Sequence, residues 1–468
     1  MSTEVLGTEI LQAIERFLES SQDPVLCEPG EEPVAIKPDS FVLEERNGCV
    51  QLQAWDAKRN LVRRVSAIER QVRGKLVLRV ARFGKLAGTL ELIDRHRAIR
   101  DNVPLRSARL GFREQFRLFL HRQFPGYKLA ELTTEADLEH TLSPAYPRAL
   151  LRQGGSAWAA IGLPSDSVRP DGVLTFGLIW LDYLRQREPS LAIQGLLLYL
   201  PAGAEKTTCL RLLFLDPAAA QYRAFVYDRD GLEESVDLDD YGNLDTHLEP
   251  YRRSLAQPMA PGVESIDRGD GELSYRVHGL EFARSVGAEL LMAMDPMRAM
   301  ELSRLRSPDA TDHQHPLYLR NPEAWLESQV RAHVQEIDAT LLAKPIYGQV
   351  PAFAAADRGV LDLLTIDTSG RLAVIELKAS EDVHLPLQAL DYWMRVAWHV
   401  ERRAFQSNGY FPGHELVREA PRLLLVSPAL DVHSTNERVL RYFSPKIAIE
   451  RLGVGLEWRK ELKVMHRS

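Results

Sequence analysis

Cysteine is scarce in this chain: three residues in 468, Cys27, Cys49 and Cys209, widely spaced and odd in number. That excludes a disulfide-stapled scaffold and a cysteine metal knuckle, and leaves the three to act as small buried hydrophobes. Long apolar runs are also missing. No stretch reaches the roughly 18 residues a membrane span needs, and the acidic, amphipathic N-terminus has no signal-peptide pattern. The chain therefore reads as cytoplasmic, with no membrane partner. An excess charge of one sign is absent as well, with 58 Lys and Arg against 65 Asp and Glu. With 45% hydrophobic and 8% aromatic residues, disordered and collagen-like classes are excluded, and the length suits about three domains.

The balanced total conceals a gradient. Between Asp56 and Lys128 there are 19 Lys and Arg against 6 acids, a local +13. Between Asp228 and Glu249 there are 9 acids against Arg229 alone, a local −8, and residues 317–468 carry 19 of each sign. A basic segment poor in acids is either a solvated arginine-rich face or the footprint of a phosphate-backbone binder. The second reading makes Arg79, Arg82 and Lys85 candidate nucleic-acid contacts. The acidic run, with its glycines, reads as a solvated linker or as a segment competing with nucleic acid for the basic face.

Apolar spacing predicts a helix over 4–19. Strands are expected around Phe41–Leu43, Val50–Ala54, Lys75–Val80 and Gly88–Ile93, and a helix over 109–124 that Pro125-Gly126 stops. A repeat follows. The segment from Arg148 to Pro164 aligns without a gap on Asp362 to Lys378, Leu181-Asp-Tyr183 on Leu390-Asp-Tyr392, and Leu196–Pro201 on Leu423–Pro428. Glu272–Gly279 also resembles Lys75–Arg82. Two copies of one αβ unit are thus expected, near 75–230 and 272–462. Arg148, Gly162 and Pro164 then stand opposite Asp362, Glu376 and Lys378.

Those last three residues form the pattern that carries chemistry. Turn residues at Asp367–Gly370 lie between two strand-like runs, and a hairpin there brings Asp362 beside Glu376. Glu376 and Lys378 are two apart and share a strand face, while Ile375 and Leu377 point the other way. Charges placed in buried strands are costly unless paired or metal-bound, and an ion pair with Lys378 uses only one acid. Upstream, Asn321-Pro322 starts a helix with the stripe Leu326, Val330, Val334, Ile337 and Leu341. Glu327 sits at the edge of that stripe, with Glu323 as the alternative acid one turn earlier. Downstream, 384–400 reads as a helix on which Gln388 and Tyr392 are neighbours.

Asp362, then Glu376-Leu377-Lys378, then Gln388-Ala-Leu-Asp-Tyr392, preceded by a helix bearing Glu327, resembles the PD-(D/E)xK nuclease superfamily. The last element resembles the QxxxY motif of its RecB-like branch. The resemblance covers about 317–462, and the repeat extends it to a degenerate copy in the N-terminal half. No proline precedes Asp362. The implied fold class is α/β, with tandem restriction-endonuclease-like sheets flanked by helices and an N-terminal strand-rich segment. The implied domains are 1–74, a degenerate nuclease-like domain at 75–230, an acidic linker at 231–271 and a nuclease-like domain at 272–468.

The implied activity is Mg²⁺- or Mn²⁺-dependent hydrolysis of DNA phosphodiesters in repair, recombination or defence. A nuclease acting on RNA and a catalytically silent nucleic-acid-binding scaffold are the alternatives. Asp362, Glu376, the Leu377 carbonyl and Glu327 are the implied metal donors, and oxygen donors suit these hard cations. Lys378 is implied to orient water and stabilise charge, Gln388 to bind phosphate or position ligands, and Tyr392 to stack on a base or to pack. Other motifs fall away. Gly203-Ala-Glu-Lys-Thr207 has Glu205 where a phosphate loop requires glycine, Asp237–Gly242 lacks a calcium loop's ligands, and His313 and His315 have no metal-site spacing.

Overall fold

The computed structural model describes residues 3–468 apart from 22, 28–32, 38–39, 47–48, 56–59, 73, 82–86, 95–102, 138, 168–169, 229–230, 240, 242–243, 245, 255–261, 287–288, 293–295, 354–357 and 430–432. It is a mixed α/β protein in two compact units. One comprises residues 1–114, 166–169 and 312–321, and the other holds the remainder. No described helix is long and apolar enough to cross a membrane. Cys209 is buried and a free thiol, and Cys27 is half-buried; the Cys49 side chain lies outside the described residues.

The first unit starts with helix α1 (Thr3–Ser20) and continues through strands β1 (Pro24–Cys27), β2 (Val34–Ala35), β3 (Phe41–Arg46), β4 (Cys49–Trp55), β5 (Asn60–Val72), β6 (Lys75–Ala81) and β7 (Ala87–Asp94). They form one antiparallel sheet in the order β2-β1-β7-β6-β5-β4-β3. Ile10, Ile14 and Phe17 of α1 pack on Val50, Leu52, Val65 and Leu78 of that sheet. The expected boundary at residue 74 is therefore misplaced: β6 pairs with β5 across a tight turn, and β7 pairs with β1, which closes the sheet at Asp94. Also in this unit, His313 stacks on Tyr318 and His315 accepts a hydrogen bond from the Leu317 N–H.

From helix α2 (Val103–Gln123) the chain runs through β8 (Lys128–Thr133), β9 (Arg148–Gln153), β10 (Ser156–Gly162), α3 (Val173–Arg187), β11 (Ala192–Pro201), α4 (Lys206–Leu212), β12 (Gln221–Tyr227) and β13 (Glu233–Ser235). Next come β14 (His247–Leu248), the strands β15 (Glu264–Asp267), β16 (Glu272–Val277), β17 (Leu280–Val286) and β18 (Glu289–Met292), and helices α5 (Pro296–Leu305) and α6 (Pro322–Ala332). The last stretch is β19 (Tyr347–Phe353), β20 (Arg358–Ile366), β21 (Leu372–Leu377), α7 (Leu385–Glu401), β22 (Arg422–Pro428), α8 (Asn436–Leu440), β23 (Ala448–Val454) and β24 (Val464–Arg467).

Two of the sheets in the second unit repeat one plan. Their orders are β13-β12-β11-β10-β9-β8 and β24-β23-β22-β21-β20-β19, the latter extended by β14. In each, a hairpin (β9-β10 or β20-β21) leads through a long helix to a strand added in parallel, and a short helix leads to a second parallel strand. The copies begin at β8 and β19. Of the two segments expected to open them, β6 (Lys75–Ala81) and β16 (Glu272–Val277) belong to other antiparallel sheets. Nor is 231–271 a plain linker, because it supplies β13 and β14 to the edges of the two sheets and β15 to a four-stranded meander. Residues of both copies join one core, with Leu178, Ile179, Leu196, Leu364, Leu390 and Leu425 all buried in it.

Strand pairing also corrects the alignment. Arg148 is opposite Ile161, whereas Leu363 is opposite Ile375 and thereby puts Asp362 level with Glu376. Leu163 N–H donates to Tyr199 O as Lys378 N–H does to Val426 O. The equivalents of Asp362, Glu376 and Lys378 are thus Arg148, Ile161 and Leu163, not Gly162 and Pro164. The cause is the turn: Gln153 and Ser156 pair across two residues, Ile366 and Leu372 across five. Arg148, only 1% exposed, donates to Ser143 O (2.5 Å) and Glu135 O (2.5 Å) and lies over the Trp180 ring. It is a structural strut. Arg148→Ala leaves two carbonyls without their donor and a cavity behind, so urea unfolding is expected to show a loss of about 3 kcal/mol or more.

Candidate functional site

The second hairpin builds the site. Asp367 Oδ1 accepts from the N–H groups of Ser369 and Arg371 (2.9 and 3.0 Å), folding the turn on itself. Gly370 has φ +84°, and a Cβ there would come within 2.2 Å of Glu415 O, so glycine is required. This turn fixes the register that sets Asp362 beside Glu376. Alternation then puts Asp362, Leu364 and Ile366 on one face with Leu372, Val374 and Glu376. Leu364, Ile366, Leu372 and Val374 bury that face against Leu387 and Leu390 of α7.

Asp362 Oδ2 accepts the Leu377 N–H at 2.8 Å. Burial pushes its carboxyl up to about 7, against an ordinary 3.8; the Leu377 bond and Lys378 offset this, and Glu327 and Glu323 reinforce it. Glu376 is 3% exposed, and its Oε2 has no hydrogen-bond partner. Burial, reinforced by Asp362, holds it well above the usual carboxylate range, with Lys378 opposing. Lys378 Nζ lies 3.3 Å from Glu323 Oε1 and 3.9 Å from Asp382 Oδ2. Burial alone would lower the lysine, but Glu323, Glu376, Asp382 and Asp362 outweigh it and keep the ammonium above its ordinary range. Tyr392 is also pushed upward, by burial first and then by Glu376 and Asp362, which puts its hydroxyl within the field of the site. Gln388 lies one turn earlier on the same face of α7, half-buried.

Of the two helix acids, Glu323 meets Lys378. Glu327 is clamped elsewhere, with its Oε1 accepting from Arg331 Nη2 at 2.5 Å and its Oε2 3.5 Å from Arg276 of β16. The stripe that pointed to Glu327 does not run as one helix, because α6 ends at Ala332 and a separate turn covers Val334–Ile337. Sequence reasoning missed Asp382, four residues after Lys378, and the arginine clamp. The i, i+4 spacing of Glu327 and Arg331 was its one readable sign. On the first unit, Arg79 is exposed on β6 and paired with Glu69 at 2.8 Å. Arg82 and Lys85 lie outside the described residues.

Among the described residues, no group of three or more His, Cys, Asp and Glu side chains is arranged to hold a metal ion. The donor set nevertheless suits a hard cation: buried Glu376 and half-buried Asp362 lie side by side, one oxygen of Glu376 lacks a partner, and Mg²⁺ ordinarily keeps several waters with only one or two protein carboxylates. No family model, curated protein or solved structure matches the chain.

Proposed function

We propose that this chain is a divalent-metal-dependent phosphodiesterase acting on nucleic acid, in the manner of the PD-(D/E)xK nucleases its Asp362, Glu376-Leu-Lys378 and Gln388-x-x-x-Tyr392 pattern resembles. The supporting observation is the unpartnered, buried Oε2 of Glu376 beside Asp362 and Lys378. Burying Glu376 beside a half-buried carboxylate and a half-buried lysine is unfavourable for folding, and such an arrangement is typical of groups retained for chemistry. Asp362, Glu376 and the Leu377 carbonyl would hold Mg²⁺ or Mn²⁺. When bound, such a cation neutralises phosphate charge and acidifies water.

The chain's own residues supply the rest. Because its carboxylate neighbours keep Lys378 protonated, it cannot act as a general base. Its N–H groups instead orient the attacking water and stabilise the negative charge that grows on the phosphoryl oxygens. Tyr392, kept protonated by burial first and then by Glu376 and Asp362, has an O–H to donate to a phosphate oxygen. Gln388 offers an uncharged amide to phosphate. Glu323 and Asp382 hold the ammonium between them and so set where Lys378 points.

The test is a panel of labelled linear, circular and single-stranded DNA and RNA with Mg²⁺ or Mn²⁺. Lys378→Met is expected to leave substrate affinity within a few-fold and to lower the cleavage rate by about 10²–10³. An active Lys378→Met variant, or an inactive parent chain on every substrate, rejects the reading.

A further inference from the structure

The two copies in the second unit meet about a local two-fold axis, and residues that touch their own equivalents mark its line. The Leu-Asp-Tyr match makes Thr175 and His384 equivalent, and Thr175 Oγ1 lies 3.2 Å from His384 Nδ1. Phe214-Leu-Asp-Pro217 and Tyr442-Phe-Ser-Pro445 match likewise, and Leu215 bridges Phe443 antiparallel. Around that bridge the bonds are reciprocal: Asp216 N–H donates to Tyr442 O (2.8 Å) and Ser444 N–H to Phe214 O (2.9 Å). The ion pairs come one position short of the same reciprocity: Arg211 grips Asp391 with two bonds (2.8 and 2.7 Å), while Arg438, the neighbour of its match Val439, lies 3.7 Å from Asp182, the match of Asp391. This is the contact pattern of an isologous dimer, realised within one chain.

A two-fold axis relates points at equal height along it. Thr175 and His384 stand at the starts of α3 and α7, and Gln388 and Tyr392 follow His384 by one and two turns. The Asp362 site and its altered counterpart therefore flank the axis at the same end of the unit. The counterpart has no carboxylate at the matching positions: Arg148, Ile161 and Leu163 replace Asp362, Glu376 and Lys378, and Ile179 replaces Gln388. All four are buried.

Duplex DNA has local dyads that interchange its strands, and two-fold proteins engage it by aligning the axes. We propose that the substrate is duplex DNA and that each binding event cuts one strand, the Asp362 copy hydrolysing while the Arg148 copy covers the other. In each event one water oxygen bonds to phosphorus, one P–O ester bond breaks, and the departing sugar oxygen takes up a proton; the second strand stays continuous. This rests on the nuclease reading above.

Supercoiled plasmid incubated with the full chain and Mg²⁺ is expected to convert to nicked circle, with linear DNA arising only late, from accumulated nicks. Fluorescence anisotropy of the Glu376→Gln chain in EDTA is expected to show one chain per short duplex and affinity at least about tenfold above that for either single strand or RNA. Linear product formed from the earliest times, or equal or tighter binding of single strands or RNA, overturns the proposal and leaves the nuclease reading standing. Absence of cleavage on every substrate overturns both.

Discussion

Glu376→Gln is expected to leave every nucleic acid uncut and to melt, without metal near pH 8, at or above the temperature of the parent chain. Most substitutions of a buried residue that makes contacts destabilise. Glu376 is different because its charge is a burden on the fold: it is 3% exposed, one of its oxygens has no partner, and Asp362 adds a second carboxylate beside it. Glutamine keeps the shape and removes the charge. The expected pairing of lost activity with unchanged or increased stability is the signature of a residue retained for chemistry rather than for packing. Thermal melts in EDTA together with the cleavage panel measure both. A melting point several degrees lower in EDTA shows Glu376 to be a structural acid, and retained cleavage removes it from the reaction.

The site was legible because strand alternation and hairpin geometry are short-range rules. Asp362, Glu376 and Lys378 lie within 17 residues, and a turn rich in Asp, Ser and Gly sets their register. Gln388 and Tyr392 needed only helical spacing. What stayed hidden depended on partners distant in the chain. Glu327 and Glu323 sit on the same helix four residues apart, and only the position of Arg276, on a strand some 50 residues earlier, sends Glu327 to an arginine clamp and leaves Glu323 to Lys378. Strand β5 went unread because Arg63, Arg64, Glu69 and Arg70 interrupt its apolar alternation, and two bulges shift its register against β6. The one-residue error in matching Gly162 and Pro164 came from turn lengths that an ungapped comparison cannot sense. The four-stranded meander and the shared core of the two copies rest on packing between elements, which local pattern does not encode.

Without divalent metal, the contribution of Asp362 to stability, read as the melting temperature of the parent chain minus that of Asp362→Asn, is expected to fall as pH rises from about 4 to about 7, and added Mg²⁺ or Mn²⁺ is expected to reverse that fall; buried His278 and His399, each lowered to about 4, titrate in both chains and cancel in the difference. The direction follows from Asp362. Its folded carboxyl sits at about 7 and its ordinary value is 3.8, so between those limits the folded chain holds a proton that the unfolded chain has released. Stability is then fully present below the unfolded value and is lost as pH climbs through the folded one, at about 1.4 kcal/mol per pH unit for one such group. Glu376, shifted the same way, adds to the slope. A divalent cation between the two carboxylates displaces their protons, so it binds more tightly as pH rises, and at a hundred times its dissociation constant it stabilises the fold by about 2.7 kcal/mol. The metal-induced gain in melting temperature should accordingly be larger at pH 8 than at pH 5.5, and Asp362→Asn should reduce the gain. An equal gain at both pH values, or one that Asp362→Asn leaves untouched, places the cation elsewhere on the chain.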